Sequence, residues 1–178
     1  MGCDIHCYVA KRVKDNNGYH YEAAPIYRKQ RKNWLDDDSE MVYNLCDIDV
    51  GRDYQLFGVL AGVRYLGLEQ IADARGFDEF CPEEIRAQYE EFSVDYHDVS
   101  FYNMNEIKEA IKDKKRYPKW NTYDTEDEDG NLVEVKDKND PGPHQSLKWF
   151  YKHVMEFANQ AWYYVEPEDV RVYFWFDN

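Results

Sequence analysis

The sequence predicts an α+β fold: a small, mainly antiparallel sheet packed against about four helices. Apolar residues alternate near both ends of the chain, in CDIHCYVAKRV (3–13) and in VRVYFWFDN (170–178). Between these segments the apolar spacing changes to three and four residues, which is typical of amphipathic helices. The 178 residues, 43% hydrophobic and 17% aromatic, are enough for a single domain spanning residues 1–178.

The alternating ends predict the strands. In the first segment the polar residues Asp4, His6 and Tyr8 would face one way and the intervening apolar residues the other. Asp-Asn-Asn-Gly at 15–18 is typical of a turn, so the following segment, 19–28, is expected to return as the second strand of a hairpin. The last segment has bulky residues on both faces, which predicts a central strand beside the first one.

Four segments between these ends predict helices. The first begins at Tyr54 with Asp53 as its N-cap, has Gly58 and Gly62 one turn apart, and is expected to end near Gly67. Because glycine destabilises a helix interior, we expect a close backbone approach at the first two glycines. The other helices are expected from Pro82, from Met104 into the basic stretch 112–116, and over 147–161. The acidic segment 121–140 predicts a surface loop or hairpin.

Charge and cysteine usage restrict the class of function. The chain has 36 acidic and 22 basic residues, a net charge of −14, which repels nucleic-acid polymers. No apolar run approaches the roughly 20 residues of a bilayer span, and the amino end does not resemble a signal peptide. The four cysteines form no CxxC pair and are expected to be reduced thiols. We therefore expect a cytoplasmic protein that does not associate with membranes.

The first candidate site is Asp4-Ile5-His6. On a strand, the carboxylate and the imidazole would share one face about 7 Å apart, which suits a shared divalent metal ion or an acid–base pair. The alternative is an ordinary solvent-facing strand. The high aromatic content favours a pocket wall.

The second candidate site lies just before the first predicted helix. Asp47 and Asp49 share a side if the chain is extended, which suits a cation, and Asp49 is grouped with Asp4 and His6 as the candidate metal ligands. Arg52 could bind phosphate or carboxylate at the helix start. Alternatively, Arg52 pairs with a neighbouring acid.

The third candidate site combines two arginines with a segment rich in polar residues. His97 and Ser100 are expected in a loop just before the third helix, where functional side chains are often displayed. Arg64 and Arg75 could add anion contacts, although pairing with carboxylates is the alternative for each. No GxSxG segment accompanies Ser100, so the sequence gives little support to Ser-His-acid catalysis.

Several of these segments together resemble a family of uncharacterised bacteriophage and bacterial proteins. The segments are the opening Met-Gly-Cys-Asp-Ile-His (1–6), Gly-Arg-Asp-Tyr (51–54), Leu-Ala-Gly-Val-Arg (60–64), Arg-Gly (75–76), His97, Ser100 and the closing Phe-Trp-Phe-Asp-Asn (174–178). The resemblance spans nearly the whole chain and implies one fold and a phage-associated origin. Its recurring Asp, His and Arg residues imply an anion pocket with metal assistance. The chain departs from the family pattern after Gly76 and at Asp98.

These observations lead to two hypotheses. The first is a phage-associated hydrolase of a nucleotide or another phosphate-containing small molecule. In it Asp4 and His6 bind a divalent metal or act as acid and base, and His97 transfers a proton. The phosphate contacts come from four residues: Arg52, Arg64, Arg75 and Ser100. The second is a non-catalytic module that sequesters a nucleotide-like signal, or an acidic decoy that binds a host protein. The first hypothesis requires the three sites to line one cavity.

Overall fold

The computed structural model describes residues 3–32, 37–64, 67–91, 94–127 and 129–177, so Met1, Gly2 and Asn178 of the family pattern lie outside it. The described residues contain four α-helices and eight strands, which confirms the α+β class. They form two compact units, and the single domain expected from the length stays a prediction. Unit 1 comprises the chain up to residue 52, residues 74–104 and the chain from 153 onward; unit 2 comprises 53–73 and 105–152.

Strands and helices alternate along the chain. The strands are β1 (Ile5–Asp15), β2 (Gly18–Ala23), β3 (Tyr27–Arg31), β4 (Met41–Leu45), β5 (Tyr96–Asn103), β6 (Trp120–Glu126), β7 (Leu132–Pro141) and β8 (Val170–Asp177). The helices are α1 (Tyr54–Ala61), α2 (Glu83–Glu91), α3 (Met104–Lys112) and α4 (Pro143–Trp162). None of the described helices is long and apolar enough to cross a membrane.

Unit 1 is built on a four-stranded antiparallel sheet in the order β2-β1-β8-β5. The predicted hairpin is confirmed, although its second strand ends at Ala23 and does not continue to residue 28. Its turn is fixed by the Asp15 carboxylate, which accepts the N–H of Asn17 at 2.7 Å. The prediction that the last strand is central and lies beside the first is also confirmed. The sheet thus pairs residues from both ends of the chain.

The segment expected to be a loop around His97 and Ser100 is instead the edge strand β5, so that prediction is wrong. Its register against β8 shifts between these two residues. Asp98 has a left-handed φ of 51° in this irregular stretch. An irregularity of this kind breaks the period-two pattern by which a strand is recognised in a sequence.

One face of this sheet carries the aromatic core of unit 1. Tyr8, Tyr173 and Trp175 are buried there, and the rings of Tyr8 and Trp175 stack with centroids 5.0 Å apart. Ile85 of α2 and Leu45 of β4 also belong to this buried cluster. The sequence analysis did not predict β3 and β4, which pair with each other in a separate two-stranded sheet.

Unit 2 contains α1, which confirms both the predicted helix and its cap: Asp53 accepts the N–H of Leu56 at 3.0 Å. The helix ends at Gly62, with a left-handed φ of 69°, and not near Gly67. A Cβ at Gly58 would make ordinary contacts with the Leu68 side chain at 3.6 Å and the Val63 carbonyl oxygen at 3.9 Å, and one at Gly62 would meet only the Gln70 side chain. The close backbone approach expected at Gly58 and Gly62 is therefore wrong. It occurs at Gly142, where a Cβ would lie 2.5 Å from the carbonyl oxygen of Pro118.

The acidic segment of unit 2 was expected to be a surface loop or a hairpin, and it forms the hairpin of β6 and β7. Asp127 organises the turn by accepting the N–H groups of Asp129 and Asn131 at 2.9 and 2.8 Å. These hydrogen bonds, above all the one from Asn131, lower the pKa of Asp127. The α4 helix follows directly and contributes residues to both units.

Candidate functional site

His6 lies on the aromatic face of the unit 1 sheet. It pairs across the sheet with Trp175, and the two rings stack with centroids 6.0 Å apart. Tyr96 of β5 also approaches it, with ring centroids 5.0 Å apart. The His6 Nε2 atom lies 3.3 Å from a carboxylate oxygen of Asp177, and about a quarter of the side chain is exposed (24%). The imidazole therefore packs against two aromatic rings and has a carboxylate partner, and it remains accessible to solvent.

Asp4, the first member of the same candidate site, pairs with Arg52. The Nε and Nη2 groups of Arg52 donate to the two carboxylate oxygens of Asp4 at 2.5 and 2.9 Å. Hydrogen bonding to Arg52 is the main reason that the pKa of Asp4 is lowered. The Asp4 backbone N–H also donates to Asp177 at 2.9 Å, which links this pair to the carboxylate beside His6. The alternative weighed for Arg52, pairing with an acid, is thus the observed one.

Two hollows in unit 1 share His6, Arg28 and Asp47 in their walls, and together we call them the His6 groove. The first encloses about 180 Å³ and the second about 250 Å³. The remaining residues of the first are Tyr8, Gln30, Asn44, Leu45, Gln88, Glu91 and Tyr96. Those of the second are Asp4, Ile5, Ile48, Asp49 and Gly51.

Carboxylates outnumber cations in this groove. Four carboxylates line it, from Asp4, Asp47, Asp49 and Glu91, against the single guanidinium of Arg28. Arg28 lies 3.6 Å from Asp47, and Arg52 is held by Asp4. Burial, together with the nearby Asp47 charge, raises the pKa of Tyr8, so its phenol stays protonated. The electrostatic field in the groove favours a cation over a phosphate.

The metal ligands expected from the sequence are Asp4, His6 and Asp49. All three residues line the second hollow of the groove. Among the described residues, however, no three His, Cys, Asp or Glu side chains are grouped so that they could hold a metal ion. Asp4 is paired with Arg52, and Asp49 accepts the backbone N–H of Gly51 at 2.9 Å. These pairings give the two carboxylates a structural role.

His97 lies on the opposite face of the sheet from His6, so the two histidines do not line one cavity. His97 pairs with Phe176, the residue next to Trp175 on β8, and consecutive residues of a strand face opposite sides. Its ring stacks on Phe176 with centroids 6.0 Å apart, and its Nδ1 atom lies 2.7 Å from the Asp98 carboxylate. The expected single cavity is therefore wrong for His97.

Ser100 and Arg75 form a structural contact at the β5 edge. Ser100 is fully buried, and its hydroxyl accepts the backbone N–H of Arg75 at 3.2 Å. The guanidinium of Arg75 lies over the ring of Tyr102, 4.8 Å from its centroid, and donates to the carbonyl of Phe101 at 3.3 Å. Both side chains hold residues 74–76 against β5.

Arg64 belongs to unit 2, directly after the end of α1. It is exposed and has a left-handed φ of 55°. Because the other candidate residues belong to unit 1, its part in a common site stays a prediction.

The sequence analysis missed several residues that line the groove. Arg28 and Gln30 share one face of β3, and Asn44 lies opposite Arg28 on β4. Residues 27–31 lack the period-two alternation that identifies a strand in a sequence, because this strand is mostly exposed and has no apolar face. Glu91 and Gln88 lie on the polar side of α2, where a sequence gives no reason to prefer one exposed residue over another.

A scan against models of protein families and searches of curated proteins and of solved structures found no match to this chain.

Proposed function

We propose that the protein is a binding module whose His6 groove takes a small organic cation, of the guanidinium or amine class, that carries an aromatic ring. The observation that carries the proposal is the lining of the groove: with Asp4 paired to Arg52 and Asp47 to Arg28, two lining carboxylates remain without a cation among the described residues, and the rings of three further residues lie in the same walls, those of His6, Tyr8 and Tyr96. Aromatic faces attract cations, and this attraction strengthens where water is displaced. The proposal keeps the binding module expected from the sequence and changes the charge of its ligand.

Polar groups in the groove would orient such a ligand. Gln30, Asn44 and Gln88 offer amide oxygens as acceptors for N–H groups, and Glu91 offers a carboxylate. A guanidinium has several N–H donors in one plane, so it could donate to more than one of these side-chain oxygens along the wall of the groove. An anionic phosphate would instead have to displace Asp47 from Arg28 or Asp4 from Arg52.

Isothermal titration calorimetry with phenylguanidine and with adenosine 5′-monophosphate tests the proposal. We expect phenylguanidine to bind and the nucleotide not to bind. Glu91→Gln should weaken binding at least fivefold, on the order of 1 kcal/mol, because it removes one lining carboxylate. Glu90→Gln is the matched control, since Glu90 is exposed on the same helix and lies outside the groove. Binding of the nucleotide alone, or equal effects of the two substitutions, would overturn the proposal.

Hydrolysis of a phosphate-containing small molecule stays a prediction of the sequence. It is tested by incubating the protein with adenosine 5′-monophosphate and Mg²⁺ and measuring released phosphate. Turnover that His6→Ala abolishes would replace the binding proposal with the hydrolase. A phage-associated origin likewise rests on the family resemblance alone.

A cytoplasmic location is also part of this proposal. Cys7, Cys46 and Cys81 are free thiols, and Cys7 and Cys81 are buried. Free thiols of this kind are typical of proteins in a reducing compartment.

A further inference from the structure

The hairpin of unit 2, residues 120–141, has two chemically different faces; we call it the arm. Its register puts Tyr123 opposite Val135 and Thr125 opposite Val133 on one face, which is mainly uncharged: strand alternation adds one charged residue to it, Asp137, towards the base of the arm. These residues are open to solvent: Tyr123 is 52% exposed and Val133 36%. Exposed β-branched and aromatic residues on one side of a ribbon are the composition of a sheet face that packs against something.

The other face of the arm is acidic. Asp124 lies directly opposite Glu134, and the next pairs on this face are Glu126 with Leu132 towards the turn and Thr122 with Lys136 on the other side, so that three acids share the face with one lysine. Two like charges opposite each other destabilise a pair of strands, so this arrangement costs the arm stability while the face is empty. A cationic side chain placed beside the two carboxylates would relieve their repulsion.

The arm also has open edges. Within the described residues, β6 and β7 pair only with each other, so neither edge of the ribbon carries a third strand. Strand edges offer a row of backbone donors and acceptors, and a two-stranded ribbon is only marginally stable alone. The turn held by Asp127 keeps the ribbon in shape, which lowers the entropy lost on binding.

We propose that the arm binds an extended segment of a basic partner protein as a third strand, in which basic and apolar side chains alternate. A strand added at an edge extends both faces at once, so its apolar residues would continue the face of Tyr123 and Val133. Its Arg or Lys residues would continue the acidic face, beside whichever of Asp124 and Glu134 lies on the strand that it pairs with. A second copy of this chain is a poor occupant, because each copy carries a net charge of −14.

The test uses the full chain and a short synthetic peptide in which Arg and Val alternate. Binding is measured by isothermal titration calorimetry and mapped by amide NMR shifts. We expect the shifts to centre on residues 120–141. The same peptide with every backbone nitrogen methylated keeps its charge but has no N–H donor on either edge with which to pair as a strand, and should bind at least about tenfold more weakly. Equal binding of the two peptides would show ionic attraction alone and overturn the proposal.

Matched variants separate the arm from the overall charge. Asp124→Asn with Glu134→Gln should weaken binding of the peptide at least about fivefold. Glu79→Gln with Glu90→Gln removes the same charge from exposed positions of unit 1 and should have little effect. Far-ultraviolet circular dichroism confirms that each variant is folded. Equal losses in the two double variants, or peptide shifts spread over both units, would contradict the proposal.

Discussion

Both carboxylate oxygens of Asp4 accept hydrogen bonds from the guanidinium of Arg52, which lies 48 residues further along the chain. This pairing ties the start of β1 to the segment before α1 and holds the pKa of Asp4 below its usual value of 3.8. Each side chain is therefore the other's partner, although the sequence alone suggested that Asp4 could be catalytic and that Arg52 could bind an anion. The contact is half-exposed, so its effect on stability is modest.

Substitution Arg52→Gln should raise the pKa of Asp4 towards 3.8, as measured by NMR titration of the side-chain carboxyl carbon. Because the pKa is lower in the folded state, the pairing stabilises the fold above the unfolded pKa. This stabilisation is lost as the pH falls through the folded value. We expect it to be below about 1 kcal/mol, since both side chains are at least half exposed. An unchanged Asp4 pKa in the variant would contradict this assignment.

The contact between Arg171 and Asp78 predicts a larger effect on stability. Arg171 donates to Asp78, Tyr173 donates its hydroxyl to the same carboxylate at 3.0 Å, and the arginine is only 14% exposed. Asp78→Ala leaves a largely buried guanidinium without this partner and should lower the free energy of unfolding by about 3 kcal/mol in urea titrations. Glu22→Ala, which removes an exposed partner of His20 in the same unit, should cost less than about 0.5 kcal/mol. Similar costs for the two variants would rule out the buried network as a main support of unit 1.

Two glycines one turn apart should respond in opposite directions to alanine. Gly58 lies inside α1 with ordinary space for a Cβ, so Gly58→Ala should raise the free energy of unfolding by about 0.5–1 kcal/mol. Gly62 caps the helix at a φ of 69°, and a Cβ there would lie 2.7 Å from Oε1 of Gln70. Gly62→Ala should therefore lower the free energy of unfolding by more than about 1 kcal/mol. Thermal unfolding of the two variants, measured side by side, checks the difference in sign.

The four thiols should react at different rates with Ellman's reagent at a mildly alkaline pH. Cys46 is only half-buried and should give one fast equivalent, which Cys46→Ser removes. Burial raises the pKa of Cys7, and raises that of Cys81 to about 12, so these thiols should react only after unfolding. Cys3 is buried as well, so its thiol should also react with the reagent only after unfolding. A second fast equivalent in the folded protein would show that unit 1 opens locally.

Much of the fold could be predicted because its signals are local. The hairpin of β1 and β2, the cap at Asp53 and the central last strand each follow from a periodicity or a turn residue within a few positions. The strand at His97 could not be predicted, because a register shift and a left-handed Asp98 interrupt its alternation. The close approach at Gly142 could not be predicted either, because it depends on a contact with Pro118 that forms only in the folded chain and has no signal in the neighbouring sequence.

The candidate site could be predicted only in part. The polar face with Asp4 and His6 follows from strand alternation, and both residues do line the groove. Whether His97 joins them depends on its register against β8, where it pairs with Phe176 and so faces away from His6. A shift by one residue reverses that outcome, and no composition or spacing within β5 fixes it.

The position of β8 has a consequence for the order of events during synthesis. This strand leaves the ribosome after β1 and β5, and it lies between them in the finished sheet. Until it emerges, β1 can pair only with β2, and β5 has no neighbour in the sheet. During this period the apolar side chains of β1 stay exposed to solvent, because the strand that pairs with β1 lies more than 150 residues further along the chain. Chaperone assistance therefore matters most before β8 has been synthesised.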